Sequence, residues 1–193
     1  MTILLLTAVA LRVPVGGWEA TIFRAVNDLP NWLFPLVWII MQAGNVLTVA
    51  VVSSIALVVG RVRLGVDLAV AGISAWLLAT VIKEVVERSR PAEILEDVIV
   101  RSAPRAGHGY VSGHASVAAA LAAVVSPYLS RRWKVVVWLV ATIVAFGRVY
   151  VGAHLPLDVL GGMAMGWALG SLVHVLLGEP EGSRGDSNVD AAV

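Results

Sequence analysis

Residues 133–158 read WKVVVWLVATIVAFGRVYVGAHLPLD. Residues 133–151 of this stretch are almost wholly apolar and long enough to cross a bilayer, whose ~30 Å hydrocarbon core takes about 20 helical residues. The run lacks the strict alternation of a half-buried strand. It ends just after Arg148, Gly152 suits a helix stop, and Pro156 suits the first position of a new helix. One hydrophobic helix therefore hands over to another through a short loop carrying His154, with Asp158 about one turn further on.

The rest of the chain repeats this character. Hydrophobic residues make up 59% of 193 positions and charged residues 14%, whereas soluble domains carry roughly a quarter charged residues. Further apolar blocks occupy residues 64–88, 112–129 and 156–177, and residues 32–60 form a longer one, interrupted by Pro35 and by Gln42, Ala43, Gly44 and Asn45. That block is either one tilted, broken span or a partial helix followed by a short one. Residues 18–29 mix Trp18, Ile22, Phe23 and Val26 with Glu19, Arg24, Asn27 and Asp28, the pattern of an amphipathic helix lying at a membrane interface. The expected fold is an all-α membrane protein, a bundle of about five to six transmembrane helices with an N-terminal interfacial helix. Residues 1–30 hold a short, retained apolar segment (2–11) and the interfacial helix, residues 31–177 the transmembrane catalytic domain, and residues 178–193 a polar, disordered tail. Gly162, Gly166 and Gly170 recur every four residues, as expected where small residues let two helices pack closely.

Net charge sets limits on partners. At +1 overall there is no basic field for nucleic acid, and without cysteine there are no disulfides or thiolate chemistry. Short basic loops stay cytoplasmic, and Arg61 and Arg63 fill one while Arg131, Arg132 and Lys134 fill another on the same face. The connections at 91–111 and 152–156 then lie outside, at the plasma membrane's extracytoplasmic surface. Arg88, Arg90, Arg101 and Arg105 are also placed there, an excess that suggests anion binding. The oligomeric state has no signal in the sequence.

Three clusters fall at the outer helix ends. In Lys83-Glu-Val-Val-Glu-Arg-Ser-Arg90-Pro91, Lys83 and Arg90 are two helical turns apart and would share one face. They either reach one anion together, or the pairs Lys83–Glu87 and Glu84–Arg88 form ordinary i,i+4 salt bridges. In Val111-Ser112-Gly113-His114, Ser112 suits an N-cap, and the helix start with Gly113 beside it suits an anion next to His114; alternatively Ser112 only caps. In the third cluster, Asp158 can reach back to one ring nitrogen of His154 and leave the other free to attack phosphorus, while Arg148 offers a fork of donors to phosphate oxygens. The same contact could simply hold a helix end. His108, Glu93, Glu96 and Asp97 have no specific metal-ligand spacing and read as solvated loop charges.

Together these clusters resemble the signature of the type 2 phosphatidic acid phosphatase family, K-x6-R-P, then P-S-G-H, then S-R-x5-H-x3-D. Val111 and Gly147 depart from it, standing where the family has proline and serine. The resemblance implies a membrane helical bundle and a two-step phosphatase without metal or other cofactor. His154 would be the nucleophile, oriented by Asp158, and His114 the acid and base. Lys83, Arg90, Ser112, Gly113 and Arg148 would hold the phosphate. The implied substrate is a lipid phosphate or diphosphate within the surrounding membrane lipids, with polyprenyl diphosphate favoured over phosphatidic acid and phosphatidylglycerol phosphate. A phosphotransferase on the same site, or a lipid-binding or transport protein that holds phosphate without cleaving it, are the alternative readings.

Overall fold

Backbone amides in hydrocarbon must be satisfied internally, in helices or closed barrels, and long apolar blocks without strand alternation select helices. The computed structural model describes residues 17–178; residues 2–11 and tail residues 179–193 lie outside them. Seven α-helices carry the described fold: α1 (Trp18–Asn27), α2 (Phe34–Met41), α3 (Val46–Val58), α4 (Val62–Val86), α5 (Gly113–Val125), α6 (Arg131–Tyr150) and α7 (Pro156–Leu177). A single helical turn, Pro91–Ile94, sits in the connection between α4 and α5.

Among the described residues three helices, α4, α6 and α7, are long and apolar enough to cross a membrane, and the bent pair formed by Asn31–Gly44 and Val46–Val58 makes up to four. The count of five to six is not reached by length and composition alone. The difference lies chiefly in α5, whose 13 residues extend only about 20 Å at 1.5 Å per residue. Its alanines are enclosed by neighbouring helices.

The glycine repeat joins α5 to α7. A Cβ on Gly162 would lie 2.6 Å from the Ser112 carbonyl oxygen, one on Gly170 2.6 Å from Ala123 Cβ, and one on Gly166 would run into the Ser116 carbonyl. Only hydrogen at these positions lets the backbones meet. The seam continues to the helix starts, where the Ser112 amide donates to the Asp158 carbonyl at 2.9 Å.

The interruption at residues 42–45 becomes a 3-10 turn with a bend of 61° between its flanking segments. Asn45 caps α3 by accepting from the Leu47 amide at 2.9 Å, and the Thr48 hydroxyl donates to the Gln42 carbonyl at 2.6 Å. Gly44 rests on α5, since a Cβ there would stand 2.5 Å from the His114 carbonyl oxygen.

At one end of the bundle Arg63 pairs with Asp67 at 2.9 Å and donates to the Gly178 carbonyl at 2.8 Å. At the other end, Arg101 straps the long connection down. It donates to the carbonyls of Asn27, Tyr150 and Leu29, bonds Asn31 Oδ1, and lies 4.2 Å over the Tyr150 ring. Asn27 adds bonds to Ile99 and Tyr150. Arg101 thus serves structure, contrary to the expectation that the outer arginines are reserved for an anion. In α1 the buried residues are Glu19, Phe23 and Asn27, so two polar residues face the bundle while Trp18 and Ile22 are exposed.

Candidate active site

A polar cavity of about 420 Å³ opens at the end where α4 finishes and α5 and α7 begin. Lys83, Arg90, Gly113, His114, Arg148 and His154 all line it. Lys83 comes from the last turn of α4 and Arg148 from the last turn of α6, while Gly113 and His114 open α5. Trp38, Gln42, Asn45, Trp76 and Thr80 complete its wall towards the bent segment.

Lys83 and Arg90 meet at the cavity by a different route from the expected one. Helix α4 stops at Val86, Glu87 adopts left-handed angles (φ 50°), and Arg90 is extended, as the residue before a proline prefers. The two cations are therefore brought together by a reversal of the chain, not by one helical face. The i,i+4 pairs do not form either: Glu84 stands 3.8 Å from His108, and Arg88 turns inward to other acids. Arg90 donates to the Ala153 carbonyl at 2.9 Å, and its own amide donates to Glu93, which also accepts from Gly107. Glu93 is thus a loop organiser.

Ser112 is fully buried and caps α5, its hydroxyl accepting from the Ala115 amide at 3.5 Å. Asp158 is also fully buried and, like Ser112, stands behind the cavity wall. Its Oδ2 lies 3.6 Å from His154 Nδ1, beyond hydrogen-bond length. The expected hydrogen bond is not made, because the carboxylate is already committed. Oδ2 accepts from the Leu155 amide at 2.8 Å and Oδ1 from Arg88 at 2.8 Å.

Burial pushes the His154 imidazole well below its ordinary pKa, and the charges of Arg148, Lys83 and Arg90 push it the same way, against a backbone contact from Gly109. The ring is neutral at neutral pH, which leaves it a lone pair for attack. With Nδ1 buried beside Asp158, Nε2 is the nitrogen left for the cavity.

Sequence reasoning missed the layer behind His154. Glu19 Oε2 accepts from Arg88 at 2.6 Å, and Glu19 Oε1 accepts from the Leu157 amide at 3.0 Å. Arg88 bridges Glu19 and Asp158, so it too is unavailable to an external anion. Gly109 stands so near that a Cβ would lie 2.8 Å from Asp158 Oδ2. The closeness of Arg88 to Arg90 is a faint signal for this layer; Glu19, 69 residues away from Arg88, gives none.

Among known families, the model described as the PAP2 superfamily matches residues 64–180. The chain belongs to the PAP2 superfamily. It is a membrane protein and a hydrolase of the PAP2 type. An undecaprenyl-diphosphatase from Sulfolobus acidocaldarius is 28% identical over 163 residues, covering 83% of this chain and 77% of that protein. Phosphatidylglycerophosphatase B from Bacillus subtilis is 33% identical over 109 residues, half of each chain. The fold is similar to that of Aquifex aeolicus LpxE, with a TM-score of 0.72 at 23% identity, over 83% of this chain and 97% of that one. A PAP2-type phosphatidylglycerolphosphate phosphatase from Bacillus subtilis has the same TM-score at 22% identity, over 91% and 94%.

Proposed function

We propose that this PAP2 protein hydrolyses a lipid phosphate or diphosphate, a polyprenyl diphosphate by preference, through a phosphohistidine on His154 and without a divalent metal. The observation that carries the reading is one cavity lined by two histidines and three cations, His154, His114, Lys83, Arg90 and Arg148. His154 attacks phosphorus, and His114 protonates the departing oxygen and then activates water for the second step. The three cations, with the Gly113 amide and the capped start of α5, hold the phosphoryl oxygens, where stabilisation of developing charge usually contributes most. Asp158 and Ser112 support these groups from behind the wall.

The preference for a polyprenyl diphosphate follows the similarity to the Sulfolobus undecaprenyl-diphosphatase over most of the chain. The cavity's polar floor beside the tryptophans Trp38 and Trp76 suits a charged head whose tail stays in lipid. We place the site at the extracytoplasmic face of the plasma membrane, since Arg61, Arg63, Arg131, Arg132 and Lys134 border the opposite ends of α4 and α6.

The test is phosphate release from a panel of polyprenyl diphosphates, phosphatidic acid and phosphatidylglycerol phosphate in detergent. His154→Ala should lower turnover by roughly 10³-fold or more, and EDTA should leave the parent enzyme active. An active alanine variant or a chelator-sensitive parent would overturn the mechanism; a better phosphatidic acid substrate would overturn the lipid assignment alone.

A further inference from the structure

The mechanism above does not use Glu19. This residue stands on α1, outside residues 64–180 matched by the family, and is 1% exposed. Its carboxylate receives Arg88 at 2.6 and 3.2 Å and the Leu157 amide at 3.0 Å, while Arg88 also donates to Asp158 at 2.8 Å. Two acids and one base are therefore enclosed together. Buried charges normally persist in matched pairs; within this layer one negative charge is left over, against the back of His154, with Arg90 acting on Asp158 from the front.

The reaction supplies a use for it. As the Nε2–P bond forms, the P–O bond to the leaving group breaks, and that oxygen takes the proton of His114. Nδ1 keeps its hydrogen, so the phosphorylated ring becomes a cation. Lys83, Arg90 and Arg148 already crowd its front. Asp158 alone would be neutralised by Arg88 and have nothing to offset this new charge.

We propose that Glu19 is a positioning residue which, by engaging Arg88, leaves the negative charge of Asp158 uncompensated and so stabilises the cationic phosphohistidine at His154. The proposal rests on His154 being the nucleophile. A purely mechanical role for Glu19 is less well served by the structure, because Asn27 already pins α1 through bonds to Ile99 and Tyr150, and Phe23 is buried on the same face.

The test uses the full chain in detergent with farnesyl diphosphate and phosphatidic acid, following whichever the parent turns over faster. E19Q keeps the shape and removes the charge; it should lower kcat about ten- to fiftyfold, the effect of one unit charge across a few ångströms of poorly screened protein, with KM nearly unchanged. E19Q/R88Q removes both charges, restores the net balance, and should recover several-fold of the kcat lost in E19Q. Arg24→Ala, on the exposed face of α1, should match the parent. Parent-like kcat in E19Q beside an inactive H154A overturns the counter-charge role alone, and so does a double variant that folds but is no better than E19Q. An active H154A overturns the nucleophile reading beneath it.

Should the double variant not fold, the pH profile of E19Q decides. His154 is faced by Lys83 from α4, His114 from α5, Arg148 from α6, Asp158 from α7, and Arg90 and Gly109 from the long connection. Loss of the Glu19 charge leaves a more positive surrounding, so the acid limb of kcat set by His154 moves to lower pH. An unmoved limb overturns the proposal.

Discussion

Arg88 and Arg90 are two residues apart in the chain and face opposite sides of His154. In front of the ring, Lys83, Arg90 and Arg148 line an open cavity, and among the described residues no carboxylate forms an ion pair with any of them. Behind it, Arg88 is locked between Glu19 and Asp158. On the proposed reading the front cations meet their countercharge in the substrate, whereas the back carries its own acids. That contrast separates a cation paired within the fold from one left to bind a ligand.

Removal of one cation from each side is the sharpest way to break that contrast. Arg88→Met leaves two buried carboxylates facing each other and should cost about 3–5 kcal/mol of stability, measured by thermal or denaturant unfolding in detergent. Arg148→Ala should lower kcat by about 10²–10³-fold, as loss of a donor to developing charge does, with stability unchanged or slightly raised. If Arg148→Ala destabilises the protein as much as Arg88→Met, the front is structural too and the contrast fails.

A smaller effect sharpens the picture of the ring between them. Burial and the three front cations depress the pKa of His154 in the fold, while the unfolded chain binds a proton below about pH 6.5. The unfolded state then holds more protons than the folded state, so His154 contributes a loss of stability as pH falls below that value, by up to about 1.4 kcal/mol per pH unit. His154→Asn should flatten this part of the stability profile, and identical slopes in both proteins would place the charge uptake elsewhere.

Much of the front was legible in the sequence because each part depends on short-range order. Gly113 and His114 open one helix, Arg148 ends another, and His154 sits in the five-residue handover before Pro156. The glycine period of four likewise marks one helix face, and the close approach of α5 and α7 follows from it. Periodicity misled at Arg88 and Arg90, where a helical reading was carried past the chain reversal at Glu87. It was silent on Glu19, whose partner is fixed only by how α1 docks. The count of five to six spans is not confirmed by length and composition, because an enclosed helix of alanines and a membrane-facing one are equally apolar, and only packing distinguishes α5 from α4.

The position of Glu19 bears on where this enzyme can be cut. A fragment begun at residue 64, at the edge of the family match, would retain every motif residue named above. It would also strip Arg88 of its nearest acid and remove the wall that Trp38, Gln42 and Asn45 give the cavity. The stretch that the family matches is therefore smaller than the set of residues that build the cavity and its backing.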